Sequence, residues 1–434
     1  MGRNIYISEF DSESKFRDAS AYSLPVPAIF GSRNRFLVGG MDTLAAAMAD
    51  AGDVLVTLRR LPQAYMQYWR DNICDIGFFT PAEADEEDEE DASIYRRLTS
   101  DESARSLLRE GRIVNYALVP AYYEMCDALG IAAYEPGADL IRELNSKAYS
   151  NELKLRLGLP GAGLRVCSPD EFDNSAALML AEHGRFLIKD SMGVSGRGML
   201  LIDSGGMAER LAARFRRQEE SGRTGFDFIL EPLHEKKTDF SCLLHIDEPG
   251  EMVIDGLRRN DSRGYAYLGS GPVDEISRRL ILSSGYEEQV MSIAEDMSGR
   301  GYRGFVCIDS MILADDSIMP LVEINPRMSM SRFSLMLEER TGADCRLGYI
   351  EGKSSGSSSE ELLAELEAKG LLYTEKRGCG VIPLAPRCWD MPDAAGKRIR
   401  IYYAIIYRSD KEYEEILAAW LAHCSGSICA GPVS

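Results

Sequence analysis

The sequence predicts a multidomain chain of mixed α/β and α+β class. A Rossmann-like α/β unit is expected over residues 1–140, an α+β body from about residue 141, and a small C-terminal α+β extension over 360–434. Three observations carry this expectation. At 434 residues the chain exceeds what one ordinary hydrophobic core organises. Short apolar runs alternate with helical patterns in its first third. From Phe186 to Asn325, apolar runs of strand length dominate, separated by a helical segment around Glu287 to Met297.

In the first unit, Ala28-Ile29-Phe30, Phe36-Leu37-Val38, Val54-Leu55-Val56 and Ile113-Val114 read as buried strands. Thr43 to Ala51 and Ser106 to Gly111 read as helices, the second with a glycine stop. Tyr65, Tyr68 and Trp69 recur at helical spacing and read as core or as a face between domains. Gly39-Gly40 does not complete GxGxxG, and no Walker A sequence occurs, so this unit shows no nucleotide site of its own.

The body begins with a helix containing Lys147 that stops at Gly158-Leu159-Pro160. A second helix spans Pro169 to His183, opened by Asp170 and Glu171, acids that complement a helix N-terminus. Strands are then expected at Phe186–Lys189, Met199–Ile202, Phe228–Glu231, Phe240–Ile246, Met252–Ile254, Phe305–Ile312 and Pro320–Asn325. Lys353 to Ser359 has the composition of a flexible linker. Beyond it come a helix from Ser359 to Lys369, strands near Gly380–Pro383 and Ile399–Tyr407, and a closing helix from Lys411 to His423.

Composition excludes several function classes. A net charge of −20 argues against a nucleic-acid partner, since phosphate-backbone affinity needs clustered Lys and Arg. The run from Asp85 to Asp91 has no apolar face and reads as a solvated loop. No stretch approaches the roughly 18 apolar residues of a membrane span. The start MGRNIYISEF lacks the apolar run of a secretory signal, and Tyr6 stands where a myristoylation pattern needs Ser or Thr. A cytoplasmic protein without a membrane partner is expected. Ten cysteines without a CxxC pair and only four histidines signal neither a disulfide framework nor a zinc site.

Two constellations carry chemistry. Gly193, Gly196 and Gly198 lie between two expected strands, whereas phosphate loops of the familiar fingerprints lead into a helix. Strand-loop-strand implies a flap whose backbone N–H groups approach phosphates from above, with Lys189 on the strand that feeds it. In LVEINPR, Glu323 and Asn325 lie two apart on an expected strand and so share a face. With Asp309 as a third oxygen donor they suit Mg²⁺ bound with nucleotide phosphates, and an acid inside an apolar strand is costly unless compensated. Arg327 follows that strand, where it would neutralise a transferring phosphoryl group or grip a carboxylate.

The order of these features resembles the ATP-grasp superfamily: Lys147 in NSKAYS, Lys189 in FLIKD, the loop GVSGRG, the segment ILEPL, then Asp239, Asp309 and LVEINPR, over about residues 141 to 345. The resemblance implies a two-lobed ATP-grasp body, with a small lobe carrying the flap over 141–225 and a large lobe carrying the Mg²⁺ site over 226–350. ATP and Mg²⁺ are the implied cofactors, with Mn²⁺ able to replace the metal. Lys147 and Lys189 would contact phosphates, and the backbone from Ser191 through Gly193, Ser195, Gly196 and Gly198 would cover them. Glu231 and Leu233 would meet the adenine and Asp239 the ribose. Asp309, Glu323 and Asn325 would hold the metal, and Arg258 and Arg327 would stabilise acyl-phosphate formation. The chain departs from the pattern at His234 to Lys237, which lengthen the bend and leave Glu235 as a rival to Asp239.

The layout is similar to ligases of peptide natural-product pathways, including pheganomycin-type peptide ligases and butirosin-type amino acid:acyl-carrier-protein ligases. It implies that a small carboxylic acid or amino acid is activated as an acyl phosphate and passed to an amine. The alternatives are transfer to a carrier-protein thiol and a nucleotide-binding protein without turnover. A homodimer is the default expectation for assembly.

Overall fold

The computed structural model describes residues 2–10, 12–25, 37–82, 93–134, 136–193, 198–248, 251–264, 266–390 and 398–425. Three sheets organise it. The first contains β1 (Asn4–Ile7), β2 (Val54–Val56), β3 (Gly77–Phe79) and β4 (Arg112–Asn115) in the order β3-β2-β1-β4. All of its pairings are parallel, and helices form the connections, as parallel crossovers require. The second contains β5 (Leu164–Val166), β6 (Phe186–Asp190), β7 (Met199–Ile202) and β8 (Phe228–Pro232) in the order β5-β8-β6-β7, antiparallel throughout.

The third sheet has eight strands: β9 (Lys236–Glu248), β10 (Glu251–Arg263), β11 (Ala266–Pro272), β12 (Gly304–Leu313), β13 (Ile318–Asn325), β14 (Asp344–Lys353), β15 (Gly380–Leu384) and β16 (Arg398–Tyr407). Their order is β13-β12-β9-β10-β11-β14-β16-β15. The C-terminal strands are therefore continuous with the sheet that carries LVEINPR, because β14 pairs along its whole length with β16. The serine-rich segment read as a linker is correspondingly short, since β14 ends at Lys353 and the next helix starts at Ser359. That helix is fixed by a capping box between Ser358 and Glu361.

Several expectations change. Leu37 and Val38 are helical, not a strand, and lead into the 3₁₀ segment Gly40–Met48. A three-residue apolar run has no periodicity with which to separate the two. The helix expected to reach Ala51 stops at Met48. Of the four extra residues after ILEPL, His234 and Glu235 lengthen the bend, while Lys236 and Lys237 open strand β9. Ala28 to Phe30, Phe36 and the acidic run lie outside the described residues.

One hydrophobic core joins the first sheet to the C-terminal strands, and Tyr65, Tyr68 and Trp69 belong to it. The Tyr68 hydroxyl donates to the Tyr373 carbonyl at 3.0 Å. A second core joins the first sheet to the buried face of β9, β12 and β13. A third lies wholly against the four-stranded antiparallel sheet, built on Phe172, Phe186, Phe215 and Phe228. No helix among the described residues is long and apolar enough to cross a membrane, and the described cysteines are free thiols.

Candidate active site

The cleft between the second and third sheets starts at the Lys147–Leu157 helix. Ser146 caps it, its Oγ accepting from the Tyr149 N–H at 3.0 Å, and Gly158 ends it in the left-handed region at φ 64°. Lys147 therefore sits on the first turn and is buried. Its Nζ donates to the Gly193 carbonyl at 2.6 Å and lies 3.4 Å from Glu323 Oε1, so one ammonium spans the cleft from the loop to the large sheet.

The loop leaves β6 through Asp190 and Ser191 and returns at Gly198. The Asp190 N–H donates to the Gly198 carbonyl at 2.7 Å, and the Ser191 carbonyl accepts from the Lys147 N–H at 2.9 Å. Its neck is pinched: a Cβ on Gly193 would stand 2.6 Å from the Gly198 Cα, and one on Gly198 would stand 2.4 Å from the Gly193 Cα. Glycine is required at both positions for the two backbones to approach this closely. Ser195 and Gly196 lie outside the described residues.

Behind the neck is a buried ion cluster. Glu231 on β8 accepts from Lys154 Nζ at 3.0 Å through one oxygen and pairs with Lys189 through the other. β6 and β8 are paired, and Leu187 stands opposite Glu231 in their register. Burial alone would raise the Glu231 carboxyl, but the two ammonium groups outweigh it and hold the group down at about 2. Burial lowers the Lys154 ammonium, which Glu231 partly restores.

At the opposite wall, β12 and β13 pair so that Asp309 stands across from Glu323 and Cys307 across from Asn325. The Asn325 amide donates to Asp309 Oδ2 at 3.0 Å and Ser241 Oγ to Asp309 Oδ1 at 2.6 Å. Asn260 Nδ2 holds Ser241 Oγ at 2.7 Å. Burial and the neighbouring Glu323 push the Asp309 carboxyl up to about 6 despite the Ser241 hydrogen bond. Among the described residues no group of three or more His, Cys, Asp and Glu gathers, so a cation here would draw its third protein oxygen from Asn325. Arg327 Nη2 donates to Asn325 Oδ1 at 3.0 Å, and Nη1 to the Tyr116 hydroxyl at 3.3 Å. A cavity opens beyond Arg327, between the end of β4 and the start of β12, lined by Tyr116, Tyr134, His245, Asp247, Arg303 and Arg327 among others.

No protein-family model matches the chain. Over 204 residues it is 25% identical to the butirosin acyl-carrier protein L-glutamate ligase of Niallia circulans, covering 46% of this chain and 47% of the other, so it matches about half the length of that relative. Biotin carboxylase of Campylobacter jejuni superposes with a TM-score of 0.55 at 13% identity, over 100% of this chain and 92% of the other. The biotin carboxylase domain of the Hydrogenobacter thermophilus 2-oxoglutarate carboxylase, solved with MgADP and bicarbonate, gives 0.56 at 12% identity over 100% and 92%. N5-carboxyaminoimidazole synthetase of Staphylococcus aureus with ADP gives 0.51 at 13% over 96% and 97%. The chain has the ATP-grasp fold.

The cleft brings together Lys147, Ser191, Gly193, Gly198, Glu323, Asp309, Asn325 and Arg327, with Lys189 and Glu231 behind the neck. Asp239 shares the strand and the face of Ser241, and its carboxylate accepts from Ser262 at 3.0 Å and pairs with Lys236. Its rival Glu235 is largely exposed and lies 3.8 Å from Arg185. Leu233 is half-buried in the bend after β8.

Arg258 is placed differently from its expected role. Its guanidinium is 1% exposed, donating to Glu338 at 2.7 Å and to the Cys345 carbonyl at 2.6 Å under the Met330–Thr341 helix, so it is held as a structural pair. Lys154, Ser241 and Asn260 were not singled out from the sequence. Lys154 was legible, because it lies seven residues, two helical turns, after Lys147 and so on the same stripe. Ser241 and Asn260 become visible only once β9, β10 and β12 are in register.

Proposed function

We propose that the chain is an ATP-dependent, ADP-forming carboxylate ligase. It activates an amino acid or another small carboxylic acid as an acyl phosphate and transfers it to an amine, forming an amide or peptide bond in natural-product biosynthesis. The observation that carries this reading is Lys147, whose ammonium reaches both the glycine neck and Glu323, the residue across from Asp309 on paired strands. A cleft with cationic and backbone donors on one wall and hard oxygen donors on the other matches a polyphosphate with its metal.

The residues present fit Mg²⁺: two carboxylates and an amide oxygen, with Asp309 held above the usual carboxylate range by burial and by Glu323. When bound, the ion would neutralise the phosphates and polarise the transferred phosphoryl group. Lys147 would bind the phosphate chain from the helix end, and the Ser191–Gly198 backbone would cover it and exclude water. Lys189 and Lys154 hold Glu231 at the edge of the nucleotide's expected position. Asp239 would take the ribose hydroxyls, and Arg327 would orient the carboxylate to be phosphorylated.

A second reading, an acid–thiol ligase loading an amino acid onto a carrier protein, is favoured by the likeness to the butirosin ligase. The test is coupled ADP release with ATP and Mg²⁺ against pools of amino acids and small carboxylates, with and without hydroxylamine. Acid-dependent ADP with a hydroxamate supports acyl-phosphate chemistry, and product mass with an amine or a carrier thiol then separates the two readings. ATP binding without ADP release for any acid sinks both and leaves a binding protein.

A further inference from the structure

We propose that His245 is the general base of the transfer step, taking the proton from the acceptor's amine or thiol as that group attacks the activated carboxyl. The inference rests on the ligase reading above. His245 lies on β9 on the same face as Asp239 and Ser241, because residues two apart share a face. It lines the cavity that Arg327 also lines, and Arg327 is bonded to Asn325 of the acid trio. Arg327 is thus the side chain shared between that cavity and the acid trio.

The imidazole is oriented for this work. Its Nδ1 lies 2.7 Å from Asp255 Oδ1, and Asp255 Oδ2 accepts from Arg332 at 2.7 Å. A neutral ring that donates from Nδ1 to Asp255 has its lone pair on Nε2. The neighbour of Nε2 is Asp247, 3.6 Å away, which also lines the cavity. Arg332 stacks over the Phe305 ring at 4.4 Å and donates to the Leu244 carbonyl at 3.0 Å. Arg332 thus ties Asp255 to β9 through one oxygen while the other oxygen fixes the His245 ring.

Reach selects the step. His245 is four residues along β9 from Ser241, the partner of Asp309, or about 13 Å of strand at ~3.3 Å per residue. That separation keeps the imidazole off a metal-bound phosphate, so within the ligase reading what it would meet is an acceptor held in the cavity that Arg327 also lines. In the step, the acceptor N–H or S–H attacks the carbonyl carbon and the new C–N or C–S bond forms. The C–O bond to phosphate breaks with its electron pair leaving on phosphate, and the acceptor proton passes to His245 Nε2. No oxidant or further co-reactant is needed.

The test uses the full chain with the acid that the hydroxamate screen identifies and three acceptors: hydroxylamine, glycinamide and pantetheine. Hydroxylamine is already unprotonated and strongly nucleophilic at neutral pH, so it draws least on a base. For His245→Asn and His245→Gln, the ratio of glycinamide or pantetheine product to hydroxamate should fall about 100-fold, the lower end of what a positioned base contributes. Asp255→Asn, which removes only the orienting charge, should lower the ratio about tenfold. Hydroxamate formed by the same variants reports an intact cleft. A ratio within threefold of wild type in both His245 variants overturns the assignment, as does a wild type that makes hydroxamate but no product from either other acceptor. A wild type that makes no hydroxamate from any acid overturns the ligase reading instead.

Discussion

The two walls of the cleft solve the problem of buried charge in opposite ways. Behind the flap, Glu231 is answered by two lysines, so the charge is satisfied within the protein and the carboxyl is held down at about 2. Across the cleft, Asp309 and Glu323 face one another on paired strands, with Lys147, already shared with the loop, beside Glu323 and Arg327 reaching the pair through Asn325, and the Asp309 carboxyl is still pushed up to about 6. One wall sets two ammonium groups on a single carboxylate, and the other leaves Asp309 above its usual range. A carboxyl pushed up by its surroundings is costly to keep charged, so the proposed metal site and the Glu231 cluster should respond differently to the loss of a charge.

The largest effect should come from breaking the Asp309 wall. Asp309→Asn keeps the shape and removes a charge that burial and Glu323 disfavour. Acid-dependent ADP release should drop by at least about 100-fold, while the metal-free melting temperature should stay level or rise. If melting falls and turnover survives, the contrast between the walls is mistaken. The Glu231 wall should answer with stability: Glu231→Gln leaves Lys154 and Lys189 without a counter-charge, at a cost of about 3 kcal/mol, read as a lower urea midpoint at unchanged slope.

Much of this was legible in the sequence, and the reasons are local. Pro169–His183 and Met199–Ile202 fall where the pattern placed them, because a capped start, a glycine stop and a bounded apolar run are signals within a few residues. Glu323 and Asn325 could be paired from period-two alternation alone. What was hidden depends on long-range register. Arg258 looked like a cleft arginine until Glu338 and Cys345, about eighty residues later, were folded over it. The central strand β1 of the first sheet was unread because four residues carry too little pattern. The C-terminal strands read as a separate piece because no local signal shows that β16 pairs with β14.

Acid should separate the walls next. Glu231 is held below its ordinary value, so its stabilising share is fully present above about pH 4.5 and is lost as pH falls from there towards 2. Wild-type protein should lose stability over that window, and Glu231→Gln should show a shallower acid limb by urea denaturation at stepped pH. Parallel limbs would mean that the cluster does not act as a charge pair in solution.

The smallest effect concerns the hinge between the walls. Gly198→Ala would put a Cβ 2.4 Å from the Gly193 Cα, and that neighbour is backbone, which cannot rotate away. The neck must widen, which shifts the Gly193 carbonyl that Lys147 holds at 2.6 Å. Overpacking of this kind costs about 1–3 kcal/mol, but here it falls on a loop whose distortion mainly loosens one wall relative to the other. The expected result is a KM for ATP raised about tenfold with kcat changed less, measured by ADP release at saturating acid. An equal fall in kcat at unchanged KM would instead place the neck in the chemical step, and the neck would have to be counted with the Asp309 wall.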